Sequence, residues 1–142
     1  MAINNVQFII YNEQMKPLTK IIFVEDDPDI QVVARLGLEA VGGFTVKLCS
    51  SGSEAIASAP DFAPDLILLD VMMPGMDGLS TLKALREIPK TVETPVIIMS
   101  AKVQTHEVAH YKELGVLDVI SKPFDPMNLP ATIINIWAQH YG

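Results

Sequence analysis

Five short apolar runs, rich in isoleucine, valine and leucine, recur along the sequence and constrain what it can fold into. Each run has the length of a β-strand and is largely free of polar residues, as strands in a sheet covered on both faces require. The runs comprise residues 21–24, 44–48, 66–69, 95–99 and 116–120. We predict that they form parallel strands.

Apolar residues at helical spacing follow each of these runs. In the clearest helix, which follows the first run, Asp27 is the predicted N-cap, Pro28 takes the first helical position, and the glycine pair at 42–43 ends the pattern. The apolar face of this helix is predicted to comprise Ile30, Val33, Ala34, Leu38 and Val41. Further helices are predicted around Ala55, Leu82, Val108 and Ile133. Five alternations of strand and helix imply an α/β fold with right-handed crossovers, a doubly wound five-stranded parallel sheet with helices on both faces.

Composition limits the classes of protein that this chain can represent. Its 142 residues fit one domain, and the formal charge of -7 argues against direct binding of nucleic acid or of anionic membrane lipid. The single cysteine, Cys49, cannot form an internal disulfide and is predicted to be a small buried apolar residue. Because no apolar run could span a bilayer and no basic segment precedes the first apolar stretch, we expect a soluble, cytoplasmic protein.

Residues 1–18 lie outside the alternating pattern. They are mostly polar, apart from the apolar triplet at residues 8–10. We interpret them as an N-terminal arm and keep three alternatives open: a disordered segment, an added strand or an artificial extension. Residues 19–142 then form the folded domain.

Polar or charged residues follow four of the five predicted strands. They are Glu25, Asp26 and Asp27 after the first strand, Asp70 after the third, Ser100 after the fourth and Lys122 after the fifth. In a doubly wound sheet, ligands bind beyond the carboxyl ends of the strands, near the point where the strand order reverses. We therefore expect these side chains to meet at one edge of the sheet.

The acidic residues at this edge indicate a metal site. Uncompensated carboxylates would repel each other, whereas a hard divalent cation allows Glu25, Asp26 and Asp70 to remain ionised together. Magnesium usually takes one or two protein carboxylates and keeps water or phosphate in its other positions, which favours phosphoryl chemistry. Lys122 and the hydroxyl of Ser100 would then face phosphate oxygens. For Asp27 we prefer the role of a helix cap.

Four motifs mark the ends of the predicted strands: IIFVEDDPD at residues 21–29, PDLILLDVMMPGMDG at 64–78, PVIIMSA at 95–101 and VISKPF at 119–124. In this order they resemble the receiver domain of two-component response regulators, the CheY-like family. The resemblance extends from about residue 19 to the C-terminus. It implies a flavodoxin-like fold with strand order 2-1-3-4-5, in which the ends of the first and third strands lie side by side.

The resemblance also implies roles for the acidic residues. Asp70 would be the phosphoacceptor, whose carboxylate attacks the phosphoryl group on a histidine of a partner kinase. Asp26 would bind Mg²⁺ directly, and Glu25 would contribute through a bound water. The backbone carbonyl of Met72 would supply a further oxygen.

Three more positions correspond to residues that respond to the phosphoryl group. Lys122 matches the lysine that pairs with a phosphoryl oxygen, and the peptide bond to Pro123 is commonly cis in the family. Ser100 matches the switch hydroxyl that moves toward the phosphoryl group. Val119 stands where the family usually has an aromatic switch residue. Because valine has few rotamers and little reach, we predict a different output movement or a partner that reads the fourth helix directly.

Three functional hypotheses follow. The first is a phosphoacceptor receiver, stand-alone or excised from a longer regulator, that a histidine kinase or histidine phosphotransfer protein phosphorylates. It would catalyse only its own phosphorylation and dephosphorylation, and would signal by protein contacts or homodimerisation through the fourth helix, fifth strand and fifth helix. The second is a phosphorylation-independent interaction module, which Val119 favours. The third, a phosphohydrolase, needs a second acid that Met72 cannot provide.

Overall fold

The computed structural model describes residues 17–71, 78–101 and 105–141, in which strands and helices alternate as predicted. The strands are β1 (Lys20–Val24), β2 (Thr45–Cys49), β3 (Leu66–Asp70), β4 (Val96–Ser100) and β5 (Val116–Ser121). The helices are α1 (Pro28–Leu36), α2 (Gly52–Phe62), α3 (Gly78–Arg86), α4 (Thr105–Glu113) and α5 (Leu129–Tyr141). Apart from residues 17 and 18, the predicted N-terminal arm lies outside the described residues.

The sheet is parallel throughout and has the order β2-β1-β3-β4-β5, which confirms the doubly wound, flavodoxin-like fold. In β1, Val24 aligns with Cys49 of β2 on one side and with Leu69 of β3 on the other. The strand order reverses here, because the chain passes from β1 outward to β2 and then returns to β3. Residues at the ends of β1 and β3 are therefore neighbours at the carboxyl edge.

Each face of the sheet has its own apolar cluster, because successive residues of a strand point to opposite faces. In β3, Leu66 and Leu68 belong to the cluster under α1 and α5, whereas Ile67 and Leu69 belong to the cluster under α2, α3 and α4. All residues of β3 and β4 are buried. Burial on both faces explains why these strands are nearly continuous apolar runs in the sequence.

Helix α1 begins where the sequence predicts, because Asp27 caps it. The carboxylate of Asp27 accepts hydrogen bonds from the backbone N–H groups of Asp29, at 2.9 Å, and Ile30, at 3.4 Å. Pro28 occupies the first turn, where its missing N–H costs no helical hydrogen bond. The interpretation of Asp27 as a helix cap is confirmed.

Helix α1 continues into a π-helical turn, Gly37–Val41. This turn was not predicted from the sequence. A Cβ atom at Gly37 would lie 2.1 Å from the carbonyl oxygen of Pro126. The helix therefore touches the backbone of the segment that leads into α5, and only glycine permits this approach. The apolar pattern predicts the helix but carries no signal of this contact.

The apolar face predicted for α1 is wider than its contact with the sheet. Ala34 and Leu38 are fully buried, but Val33 and Val41 are 42% and 49% exposed. The predicted strand ends, in contrast, lie within one residue of the observed ones.

Within the described ranges, no helix combines the length and apolar character needed to cross a membrane.

Candidate functional site

The carboxyl ends of β1, β3 and β5 bring three predicted site residues into direct contact. The Lys122 ammonium group donates hydrogen bonds to Glu25 Oε1, at 2.6 Å, and to Asp70 Oδ2, at 3.0 Å. Glu25 and Asp70 are almost completely buried, with 1% and 2% of their surface exposed. Residues up to 97 positions apart in the chain therefore form one ion-paired cluster.

Backbone hydrogen bonds hold two of these residues beyond the ends of their strands. The N–H of Glu25 donates to the carbonyl of Cys49 at 2.9 Å, and the Glu25 carboxylate accepts from the N–H of Asp27 at 3.3 Å. The N–H of Lys122 donates to the carbonyl of Ser100 at 2.9 Å, and the peptide bond between Lys122 and Pro123 is cis. The pairing of β1 with β2 and of β4 with β5 thus extends far enough to orient the acid and the lysine.

The charges at this edge fit a divalent cation. Carboxylate oxygens of Glu25, Asp26 and Asp70 all lie within 4.8 Å of one another. When all three acids are ionised, the single charge of Lys122 leaves two negative charges uncompensated, which a divalent ion with oxygen ligands can balance. Among the residues that the structure describes, none hydrogen-bonds to the Asp26 carboxylate, so its oxygens are available as ligands. Met72, the fourth predicted ligand, lies outside the described residues.

Burial and neighbouring charges shift the ionisation of the cluster. Burial raises the pKa of Glu25 to about 7, with a further contribution from the hydrogen bond and charge of Asp70, although Lys122 opposes the shift. Burial lowers the pKa of Lys122, but its contacts with Glu25 and Asp70 outweigh this effect, so the net shift is upward. Lys122 therefore stays protonated at neutral pH.

The two predicted switch residues occupy neighbouring strands. Ser100 is the last residue of β4, is 4% exposed and lies next to the β3 end that carries Asp70. Val119 aligns with Ile98 of β4 and packs, partly buried, against the cluster under α2, α3 and α4. The structure thus brings Ser100 to the edge that carries Asp70, whereas Val119 sits on the face that α4 covers.

An apolar groove opens beside the ion-paired cluster, between α1 and the segment after β5. It encloses about 260 Å³. It is lined by Ile30, Val33, Ala101, Lys122, Pro123 and Phe124. Because Lys122 is part of both the groove and the cluster, a molecule that occupies the groove lies next to the acidic residues.

Gln31 is a neighbour of the site that the sequence reasoning missed. Its side-chain amide donates hydrogen bonds to the backbone carbonyl of Glu25 and, at 3.2 Å, to the hydroxyl of Ser50. The only signal in the sequence is a polar residue one turn after the Asp27 cap.

Cys49 is fully buried, as predicted, and burial raises the pKa of its thiol to about 11, so the thiol stays protonated.

The fold and the cluster define a class: a doubly wound α/β protein with buried carboxylates and a lysine at the reversal of its strand order. The sequence model of the response regulator receiver domain matches residues 21–134. The chain therefore belongs to the receiver domain family of response regulators.

Individual relatives agree with this assignment. The chain is 36% identical over 119 residues to the probable C4-dicarboxylate response regulator DctR of Halalkalibacterium halodurans, an alignment that covers 83% of this chain and 51% of that protein. It is 33% identical over 114 residues to the DNA-binding response regulator MtrA of Mycolicibacterium smegmatis, covering 80% and 48%. The chemotaxis protein CheY4 of Vibrio cholerae, at 28% identity, superposes with a TM-score of 0.78 and covers 84% of this chain and 99% of CheY4.

The chain spans about half the length of these two regulators. The prediction that nucleic acid is not a partner rests on the charge of this chain alone, and it does not fit a relative that is named as DNA-binding. The first of these relatives is named as a response regulator, and the expectation that this chain has no separate substrate to turn over stays a prediction.

Proposed function

We propose that this chain is a phosphoacceptor receiver in which Asp70 accepts a phosphoryl group from a histidine kinase or histidine phosphotransfer protein, with Mg²⁺ bound by Asp26 and Asp70 and assisted by Glu25. The observation that supports this most directly is the buried contact of Lys122 with both Glu25 and Asp70. A cytoplasmic location and signalling through protein contacts belong to the same proposal and follow the family resemblance.

The geometry suggests how Asp70 would act. A carboxylate oxygen of Asp70 attacks phosphorus, a bond from phosphorus to that oxygen forms, and the bond to the histidine nitrogen breaks, with its electron pair remaining on nitrogen. The Lys122 ammonium group, 3.0 Å from Asp70 Oδ2, is close enough to pair with an oxygen of the new phosphoryl group. Bound Mg²⁺ would offset the negative charge of the carboxylates and of the incoming phosphoryl group.

Ser100 and Val119 would carry the response in different ways. The hydroxyl of Ser100 ends the strand beside β3, where it can donate a hydrogen bond to a phosphoryl oxygen. Val119 already packs against the cluster under α4 and has few rotamers. We therefore propose that output proceeds through Ser100 and a partner that contacts α4, without rotation of a large side chain at position 119.

The apolar groove beside Lys122 offers a contact surface for the protein that donates the phosphoryl group. Two further apolar side chains of α1, Val32 and Leu36, are 68% and 60% exposed. Exposed apolar side chains that cluster on a surface can mark a site of protein contact. A donor bound there has its phosphohistidine near Asp70.

A mass measurement tests the proposed phosphorylation. Incubation with Mg²⁺ and acetyl phosphate should add one phosphoryl group to the wild-type chain, and Asp70→Asn should abolish the gain. Asp61→Asn, an exposed aspartate on α2, is the matched control and should be phosphorylated normally. No mass gain at saturating donor and Mg²⁺ would contradict the proposal and favour the phosphorylation-independent module.

The phosphohydrolase hypothesis has a separate test. An enzyme of this class would release inorganic phosphate from phosphate esters over many turnovers, whereas a receiver takes up one phosphoryl group on Asp70 and loses it again. We expect no sustained release from a phosphate monoester. Multiple turnover that disappears in Asp70→Asn would overturn this expectation.

A further inference from the structure

Gln31 links the ends of β1 and β2 at the acidic edge. Its amide nitrogen donates to the carbonyl of Glu25, which follows β1, and to the hydroxyl of Ser50, which follows β2. The N–H of Glu25 is already held by the carbonyl of Cys49 at 2.9 Å. Both backbone polar groups of Glu25 are therefore fixed, one by β2 and the other by α1.

The bond from Gln31 matters most for Asp26. The carbonyl of Glu25 belongs to the peptide group that joins Glu25 to Asp26, so a donor on this oxygen fixes the plane from which the Asp26 side chain starts. Within the described residues no hydrogen bond holds the Asp26 carboxylate itself. Its direction toward Asp70 consequently depends on the backbone, and through the backbone on Gln31.

We propose that Gln31 is a positioning residue for the metal site: it orients the Glu25–Asp26 peptide so that the Asp26 carboxylate faces the position between Glu25 and Asp70. The inference rests on the proposed Mg²⁺ site. Groups that orient metal ligands without touching the metal typically contribute about 10-fold to 100-fold in affinity. Gln31 is suited to this role because a neutral amide donates a hydrogen bond without adding a positive charge that would compete with the cation.

The experiment measures metal affinity directly, with Mn²⁺ as the probe and electron paramagnetic resonance of the free ion as the readout. Gln31→Met keeps the length of the side chain and removes the donor, and it should weaken Mn²⁺ binding by about 10-fold. Arg35→Met is the control, because it removes an exposed ion pair with Glu39 on the same helix without touching the site. It should leave Mn²⁺ affinity unchanged.

Two further readouts distinguish a positioning role of Gln31 from an electrostatic effect and from a general disruption of the site. Gln31→Glu adds a negative charge near the cation, so electrostatics alone would tighten binding, whereas loss of the donor should weaken it. At saturating Mg²⁺, the rate of phosphorylation of Gln31→Met by acetyl phosphate should return to the wild-type value, which a general disruption of the site would prevent.

Unchanged Mn²⁺ affinity in Gln31→Met, or tighter binding in Gln31→Glu, would overturn the role of Gln31 while leaving the metal site intact. An equal loss in Arg35→Met would also overturn it, because the effect would then belong to the helix. Failure of the wild-type chain itself to bind Mn²⁺ would contradict the proposed function and, with it, this inference.

Discussion

Lys122 balances the charge of the site, because its ammonium group contacts two carboxylates that are almost completely buried. Burial lowers the pKa of this lysine, yet its two acidic partners raise it further than burial lowers it. In the absence of metal, Lys122 is thus the cation that keeps Glu25 and Asp70 together. The residue has a structural role as well as the proposed role toward the phosphoryl group.

Lys122→Met should therefore lower the free energy of unfolding measured in EDTA. Removal of one partner of a buried ion pair typically costs about 3–5 kcal/mol. The loss should lie at the lower end of this range, because the raised pKa of Glu25 lets that acid take up a proton while the charge of Asp70 stays buried. Urea unfolding followed by circular dichroism measures the change, and added Mg²⁺ should restore part of it by replacing the lost charge. Lys112→Met, an exposed lysine on α4, is the control and should stay within about 0.5 kcal/mol of wild type. Equal stability of the two variants in EDTA would contradict the prediction.

Residue types and their places at strand ends were sufficient to predict most of the cluster. Parallel strands deliver the residues after their carboxyl ends to one edge, so Glu25, Asp70 and Lys122 could be placed together from the sequence alone. Gln31 could not, because it acts through backbone carbonyl and hydroxyl groups rather than through a recognisable motif. Such contacts depend on the exact spacing of α1 from the ends of β1 and β2.

At the scale of elements, Arg86 connects three segments at the amino edge of the sheet. From the end of α3, its guanidinium group donates to the carbonyls of Thr94, at 2.7 Å, Thr91, at 3.2 Å, and Leu114, at 3.2 Å. Burial lowers the pKa of Arg86, so the charge is held partly away from water. The loop before β4 and the turn before β5 are thus both anchored on one side chain.

Arg86→Lys should destabilise the fold by about 2–3 kcal/mol. Lysine keeps the charge, but its single nitrogen cannot reach all of these carbonyls, and a buried polar group left without a partner costs about 1–3 kcal/mol. Urea unfolding measures the difference. Arg35→Lys, a change at an exposed position of α1, should leave stability nearly unchanged. An effect of the same size in both variants would show that the fork of donors in Arg86 is unimportant.

The sequence predicts elements better than the contacts between them. Apolar spacing and the Asp27 cap located α1, and uninterrupted apolar residues located β3 and β4. The π-helical turn was missed. The approach of Gly37 to Pro126 was missed as well, because it depends on a segment almost ninety positions later in the chain. Val33 is exposed, although the apolar pattern predicts that it is buried. Periodicity does not indicate which apolar residues of a helix pack against the sheet.

At the scale of the whole molecule, the proposed donor surface predicts that protein and small-molecule donors respond differently to one substitution. Val33→Asp places a charge in the apolar groove and should weaken the contact with the protein donor by about 1.4 kcal/mol. Phosphoryl transfer from that donor should therefore fall about tenfold. Phosphorylation by acetyl phosphate should not change, because this donor needs only the site. The measurement compares both donors, with a histidine phosphotransfer protein that phosphorylates the wild-type chain.

Val92→Asp is a matched control for this prediction. Val92 is 44% exposed, against 42% for Val33, and lies between α3 and β4 at the opposite edge of the sheet. It should leave transfer from both donors unchanged. If Val33→Asp slows phosphorylation by acetyl phosphate as much as it slows transfer from the protein donor, the substitution disturbs the site itself. The groove would then not be a docking surface.

The two described ends of the chain lie at the edge of the sheet opposite the acidic cluster. β1 starts at that edge, and α5 returns to it from the carboxyl end of β5, so Leu18 and Tyr141 both pack against the apolar cluster under α1 and α5. A tether attached at either described end would consequently hold the molecule with Asp70 directed away from the attachment. A chain immobilised in this way on a sensor surface would keep its acidic edge facing the solution that supplies the phosphoryl donor and the metal.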